Sequence, residues 1–363
     1  MSSAFPFFRL PEKALNLVIQ CMEYTEIVGY SLASNKTKET VKALNLQITT
    51  LLLTTEEIIE VHIQGPSSIA WSFYPGEENA GNEPIPVYMP ACVTAMRSNV
   101  REKLGYLNPG YSIQKWIDTV QYIFSHPVID YLVFMRETCK FDMNSLMETI
   151  GTAKVKEFLF YDQCRVECAQ MAVRRFPGIS RIYARSQNLE ETSLYTDILI
   201  QNLDVLILGQ GDVIMRMEFD NLLLINSKEI TIRSRDITDK MINKFLKHWI
   251  GGSNPRMEFT LLLFPDGRIL NINAILKGLK FYGPPFDQVR FFTKPATQKT
   301  VEIMGGYDIR RVNGSVGTLK IEQREEGGAF TFCEFNEGSD GPDENKVEFY
   351  FAPVLEFDGL VYH

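Results

Sequence analysis

Residues 236–264, DITDKMINKFLKHWIGGSNPRMEFTLLLF, read as one helix, one stop and one strand. Asp236 is of a residue type that accepts hydrogen bonds from the free N–H groups at a helix start. Ile237, Met241, Phe245 and Trp249 then recur at helical spacing, with Ile242, Leu246 and Ile250 beside them, so one stripe of the helix is apolar. Gly251-Gly252 ends it, because glycine reaches the left-handed backbone that helix ends favour. Met257 to Phe264 is a short, nearly continuous apolar run, as expected of a strand covered on both faces.

The same alternation extends upstream. Val128 to Phe134, Val155 to Tyr161 and Ile179 to Arg185 read as strands, and their central Leu132, Leu159 and Ile182 fall 27 and 23 residues apart. Helical patterns accompany them: Ile113, Ile117, Val120 and Phe124; Met143, Leu146, Met147 and Ile150; Val166, Gln170, Val173 and Phe176. A strand plus a helix every ~20–29 residues is the unit of a leucine-rich-type solenoid, in which each unit covers its neighbour's apolar face. The fold class expected is therefore α/β, α+β overall, with an irregular leucine-rich-repeat-like curved sheet backed by helices; an ordinary open α/β sheet is the alternative. Leu222 to Ile225 and Ile230 to Ile232 read as further strands, and residues 300–363 as a β-rich part. Before the rhythm begins, Leu46 to Leu53, Ile58 to Ile63 and Ile69 to Tyr74 are strand-like, with Trp71 and Phe73 on one parity, and Pro75 to Pro90 is an acidic loop.

Residues 7–44 differ in texture and predict three short helices. Leu10-Pro11 opens the first, since proline is preorganised for a first helical position. Leu10, Ala14, Leu17, Val18 and Met22 follow at helical spacing, widened by Leu15 and Ile19. Thr25 is the expected cap of a second helix through Ile27, and Ser34 of a third through Thr37, Val41 and Leu44. So small a module does not bury enough surface to stand alone and must lean on a neighbour or on a partner.

Phe7, Leu10-Pro11, Leu15, Val18-Ile19, Met22, Ile27, Ser31-Leu32, Ser34 and Lys36 resemble, in order, the F-box. The resemblance implies that residues 1–45 dock on a Skp-family adaptor, which holds the cullin scaffold and its catalytic RING machinery. Carried over by position, the adaptor-binding residues are Phe7, Leu10, Pro11, Leu15, Val18, Ile19, Met22, Ile27, Ser31 and Leu32. Asn243 through Glu258 is similar to the type-2 F-box-associated domain, found in F-box proteins expanded in nematodes, and Gly306-Tyr307-Asp308-Ile309-Arg310-Arg311 to the closing portion seen in that group. Residues 46–363 are then a substrate-binding domain, although the family offers no substrate-binding residues to carry over. The function implied is that of a substrate receptor in an SCF-type ubiquitin ligase feeding protein degradation; the alternative is a non-catalytic binding scaffold acting without ubiquitin transfer.

Chemistry of the chain's own finds little support. The four histidines, His62, His126, His248 and His363, form no zinc-protease pair, and there is no P-loop and no Cys-x-x-Cys. Cys164 and Cys168 stand four apart without further ligands, Gly209-Gln210-Gly211 lacks the third glycine of a dinucleotide turn, and the carboxylates Glu325-Glu326, Asp340, Asp343 and Glu344 sit in glycine-rich turns without calcium-loop spacing. No catalytic residue, metal or cofactor is expected. A formal charge of -8 opposes a general role on nucleic acid. The absence of a long apolar run excludes a spanning helix, and the N-terminus lacks the pattern of a secretory signal. An intracellular protein, cytoplasmic or nuclear, with six reduced cysteines and an unidentified protein substrate is the expectation.

Overall fold

In the computed structural model Phe158, Ile182, Leu206 and Ile230 stand side by side on neighbouring strands, each 24 residues beyond the last. The structure describes residues 9–335 except 67, 75–84, 88, 98–99, 108–109, 136–139, 152, 162–163, 165, 177, 186–192, 284, 286 and 325–326. The chain divides into two compact units, Met1–Lys156 and Glu157–Val354.

The second unit holds this ladder. Strands β7 (Lys154–Phe160), β8 (Arg181–Ala184), β9 (Val205–Leu208), β10 (Glu229–Arg233) and β11 (Phe259–Phe264) lie in chain order, and from Glu157 onward each is parallel to the next. Between them run α6 (Val166–Arg175), α7 (Ser193–Leu199), α8 (Phe219–Leu224) and α9 (Asp239–Ile250). Right-handed crossovers that always step in one direction place every helix on the same face of the sheet. That face carries Phe158, Ile182, Leu206, Ile230 and Leu262, each at most 2% exposed. The rhythm expected from the sequence is present, but its register is Phe158 with Ile182; Leu159 pairs with Tyr183 and points the other way.

Beyond β11 the sheet turns antiparallel through β16 (Gly327–Phe335), β15 (Val316–Arg324) and β14 (Tyr307–Arg310). This is the expected β-rich end as far as Phe335; the rest of 300–363 lies outside the described residues. A hairpin of β12 (Val289–Thr293) and β13 (Thr300–Met304) packs on the helix-free face, where Phe292 and Ile303 join Phe259 and Cys333. Glu229 fastens its tip, accepting from the Ala296 N–H at 2.7 Å and the Thr297 N–H at 3.0 Å. Lys294 lies 3.8 Å over the Phe259 ring, and burial lowers its pKa, opposed by the charge of Glu229.

In the first unit α1 (Glu12–Gln20), α2 (Tyr24–Ala33) and α3 (Asn35–Ala43) precede a meander, β1 (Thr50–Thr55), β2 (Ile59–Gln64), β3 (Ile69–Tyr74), β4 (Cys92–Arg97) and β5 (Val100–Leu107). After α4 (Ile113–Ile123), strand β6 (Val128–Phe134) pairs parallel with β1, and α5 (Met143–Ile150) follows. Trp71 and Phe73 do share a face, packed 6.1 and 5.7 Å from Trp116 of α4. Strands β4 and β5 fall where the sequence reading placed no element; most of Pro75 to Pro90 lies outside the described residues.

Four local expectations need correction. Leu222 to Ile225 is not a strand: α8 covers Leu222, and Asn221 accepts from the Glu218 N–H at 2.8 Å to start a helix. Helix α2 is capped by Glu23 with Glu26 answering, which leaves Thr25 inside the helix and 1% exposed. Helix α9 is capped by Thr238, whose Oγ1 accepts from the Met241 N–H at 3.2 Å, two residues after Asp236. Cys168 is disulfide-bonded, against the expectation of reduced thiols throughout, while Cys21, Cys92, Cys164 and Cys333 are free. Which cysteines meet depends on tertiary distance, which spacing along the chain does not encode.

Candidate functional site

Helix α1 separates its apolar residues into two rows. Leu15, Ile19 and Met22 turn inward, Ile19 completely buried and the other two half-buried. Ala14, Leu17, Val18 and Cys21 form the outer row, with Leu17 62% and Val18 40% exposed. Leu10 and Pro11 stand at its start, Leu10 half-buried and Pro11 exposed; Pro11 occupies the cap position and not the first helical turn. A helix that buries a single residue fully leaves apolar area in water that a partner's groove would remove.

The next two helices are differently placed. Ile27, Ser31 and Leu32 of α2 are buried, and Ser31 Oγ donates to Ile27 O at 2.8 Å, as a buried hydroxyl must. The Tyr24 ring meets Phe124 at 5.1 Å, and its hydroxyl donates to Gln47 O at 3.1 Å. Tyr111 donates to Leu32 O at 2.8 Å. Ser34 caps α3 as expected, its Oγ accepting from the Thr37 N–H at 3.2 Å. From α3, Lys42 Nζ donates to Tyr122 O at 2.8 Å, and Glu39 accepts from the Tyr122 hydroxyl at 2.9 Å. Helices α2 and α3 are thus built into the first unit, with α4 as their floor.

Of the ten residues carried over as adaptor-binding, Pro11 and Val18 are exposed and Leu10, Leu15 and Met22 are half-buried. Ile19, Ile27, Ser31 and Leu32 lie inside, and Phe7 lies outside the described residues. Leu17, the most exposed apolar side chain of the helix, is missing from that set. The signal was available, because Ala14, Leu17, Val18 and Cys21 are one helical row and Leu15, Ile19 and Met22 another.

The two stretches of the second unit that resemble an F-box-associated domain are fasteners. Trp249 of α9 meets Phe332 of β16 edge-on at 4.8 Å, and the Arg311 guanidinium lies 5.2 Å from the Trp249 ring. Arg311 is 5% exposed; it donates to Ser253 O at 2.7 Å and pairs with Glu334 at 3.4 Å. Asn243 Nδ2 donates to Ile275 O at 2.6 Å and Lys277 O at 2.9 Å, pinning α10 (Ile272–Ile275) to α9. Asn254, at φ 51°, donates to Leu222 O at 3.1 Å and Ile225 O at 2.8 Å, closing the turn after α9 onto α8. Asp308 accepts from Arg290 at 2.9 Å and Thr318 at 2.7 Å. These polar residues are spent on holding helices to strands and leave no reactive pair.

Chemistry is no better served elsewhere. Among the described residues no group of three or more His, Cys, Asp or Glu is placed to hold a metal ion. Cys164 is pushed up to about 12 by burial and then by the charge of Glu167, which makes it a poor thiolate. Ser72 donates to Glu60 at 2.7 Å and His62 contacts the same carboxylate at 3.1 Å, so the hydroxyl is not directed at the imidazole as a nucleophile would be. Among the described residues no helix is long and apolar enough to cross a membrane.

Comparison with known proteins bears on the second unit. Residues 194–260 match the family described as F-box associated, a span that contains the Asn243 to Glu258 stretch and does not reach the first helices. The chain is 24% identical over 149 residues to the F-box associated domain-containing protein sdz-33 of Caenorhabditis elegans, covering 41% of this chain and 44% of that protein. The chain thus spans less than half the length of the curated relative it matches. No solved structure matches it. Residues 194–260 are thus similar to an F-box-associated domain, and the matched span holds both Trp249 and Asn254.

Proposed function

We propose that this chain is the substrate-recognition subunit of an SCF-type cullin-RING ubiquitin ligase. The observation that carries the reading is the outer row of α1, where Leu17 and Val18 are left in water beside the Leu10-Pro11 corner. An F-box-associated domain downstream supports it, since the order is that of the proteins the first helices resemble. A Skp-family adaptor would cover the row and bring cullin and the RING machinery with it. Full burial of Leu17 and Val18 would contribute ~1.5–3 kcal/mol each, before ordering costs are subtracted. The second unit would hold a protein substrate, and the chain would act without chemistry of its own, by raising the effective concentration of a target lysine near the charged conjugating enzyme.

Calorimetry of the full chain against a purified Skp-family adaptor tests this, with Leu17→Asp and Val18→Asp as variants. Tight binding that either substitution abolishes, at an unchanged melting temperature, is the expected result. Wild-type protein that does not bind, or binding that both variants retain, rejects the reading.

A further inference from the structure

The hairpin of β12 and β13 is a two-stranded sheet of its own, and the outer edge of β12 is unpaired. The Gly305 N–H donates to Gln288 O at 2.9 Å and the Lys294 N–H to Lys299 O at 2.8 Å. Both bonds fall in the register that sets Arg290 opposite Ile303 and Phe292 opposite Val301, so these are the hydrogen-bonded pairs of the ladder. Val289, Phe291 and Thr293 alternate with them and turn their N–H and C=O groups away from β13. None of these groups has a hydrogen-bond partner among the described residues. The side chains beside the edge are equally open: Val289 is 40% exposed opposite Met304 at 49%, and half-buried Phe291 follows on the same face.

A bare apolar strand edge is a template for a further strand, and proteins guard such edges with charge, proline or a cover. β13 presents Glu302 on its edge, whereas β12, VRFFT, holds neither acid nor proline. The chain itself comes close to this edge. Phe335, which ends β16, meets Phe292 of β12 edge-on at 5.6 Å, and the Arg290 guanidinium lies 5.5 Å from the Phe335 ring. Residues 336–346, NEGSDGPDENK, are of turn-forming composition. Val347-Glu348-Phe349-Tyr350-Phe351 comes next, with four of its five residues β-branched or aromatic, the types that favour strands. The eleven residues between Phe335 and Val347 reach up to roughly 36 Å when extended, about twice the length of a five-residue strand.

We propose that the chain's own segment Val347–Phe351 adds to the hairpin as a third strand along the outer edge of β12, with Val347, Phe349 and Phe351 on the face that carries Val289 and Phe291. The tether selects this occupant over a second copy of the chain. A segment held by a short connection is presented at an effective concentration on the order of millimolar, which an edge on another molecule matches only at that protein concentration. An edge filled from within is closed to other chains, and an extended segment of another protein gains it only by displacing Val347–Phe351. The inference does not depend on the receptor reading above.

Amide hydrogen exchange of the full chain, localised to single residues by mass spectrometry, provides the test. The Val289, Phe291 and Thr293 amides are expected to exchange slowly in the wild type, and Phe349→Pro to speed them by about tenfold or more while β16 is unchanged. Phe291→Pro removes a donor from the outer edge without taking a bond from the ladder with β13, and it should speed exchange over 347–351. A labelled peptide of residues 345–353, followed by fluorescence anisotropy, should bind the Phe349→Pro chain about tenfold or more tighter than the wild type, whose edge is filled. Fast exchange of the three amides in the wild type, protection that survives Phe349→Pro, protection that rises with protein concentration as a second copy requires, or equal peptide binding to both chains overturns the proposal. Phe349→Pro and the peptide carry the test even where Phe291→Pro lowers the melting temperature.

Discussion

Thr260 sits at the centre of the helix-covered face, between Ile230 and Phe332 in register, and its hydroxyl is buried without a hydrogen-bond partner. Around it Leu222, Ile225, Ile232, Ile242, Phe245 and Leu262 line a small apolar void. An unpaired buried hydroxyl costs its desolvation, so Thr260→Val, which keeps the shape and removes the polar atom, should raise unfolding stability by about 1 kcal/mol. Urea denaturation checks it through the midpoint. Glu258 is a second such residue: burial holds its carboxyl above the usual carboxylate range, Lys228 pulls it back, and Glu334 and Glu229 push it further up. A group raised in the folded state contributes stability that is complete below its unfolded value and is lost as pH rises through the folded one. Glu258→Gln should therefore melt higher than wild type near neutral pH, with the difference shrinking toward about pH 4. Melting curves across that range would expose a gap that fails to change with pH.

At the scale of elements, the joint between α9 and the antiparallel strands is closely packed. Gly317 of β15 faces Phe332 and Trp249, and a Cβ there would lie 2.6 Å from Phe332 Cε2 and 2.9 Å from Trp249 Cη2. Both rings are fully buried, so neither has room to retreat. Gly317→Ala should cost about 1–3 kcal/mol by overpacking and should lower the melting temperature, with Trp249 fluorescence reporting the displaced ring. The helix was plain in the sequence because Ile242, Phe245, Leu246 and Trp249 repeat at its period. Its partner was not, because nothing in a local pattern names Phe332, 83 residues downstream of Trp249, as the ring it packs against. The same limit explains α8: LLLI at 222–225 is apolar enough for either element, and the cap at Glu218 with Asn221 decides it.

For the molecule as a whole, the first helices give the sharpest contrast between a docking residue and a core residue. Ile27 and Val18 were carried over together as adaptor-binding, yet Ile27 is 1% exposed and Val18 is 40% exposed. Ile27→Asp puts a charge into the packing of the first unit and should unfold it, whereas Val18→Asp should leave the melting curve in place and remove adaptor binding. Circular dichroism melts read beside calorimetry distinguish the two; a folded Ile27→Asp protein would mean that α2 is less firmly seated than its burial requires.

The sequence by itself determined the periodic features: three short helices at the start, the strand-and-helix rhythm, the amphipathic α9 with its glycine stop, and the texture of an F-box-associated domain. Each rests on contacts between residues a few positions apart, which spacing and residue type encode directly. Only the tertiary structure decided which row of α1 is left in water, that Phe158 and not Leu159 stands in register with Ile182, and that Arg311, Asn243 and Asn254 tie elements together. Those outcomes depend on which distant segments pack against each other, and burial is settled by that competition for apolar area rather than by any local pattern.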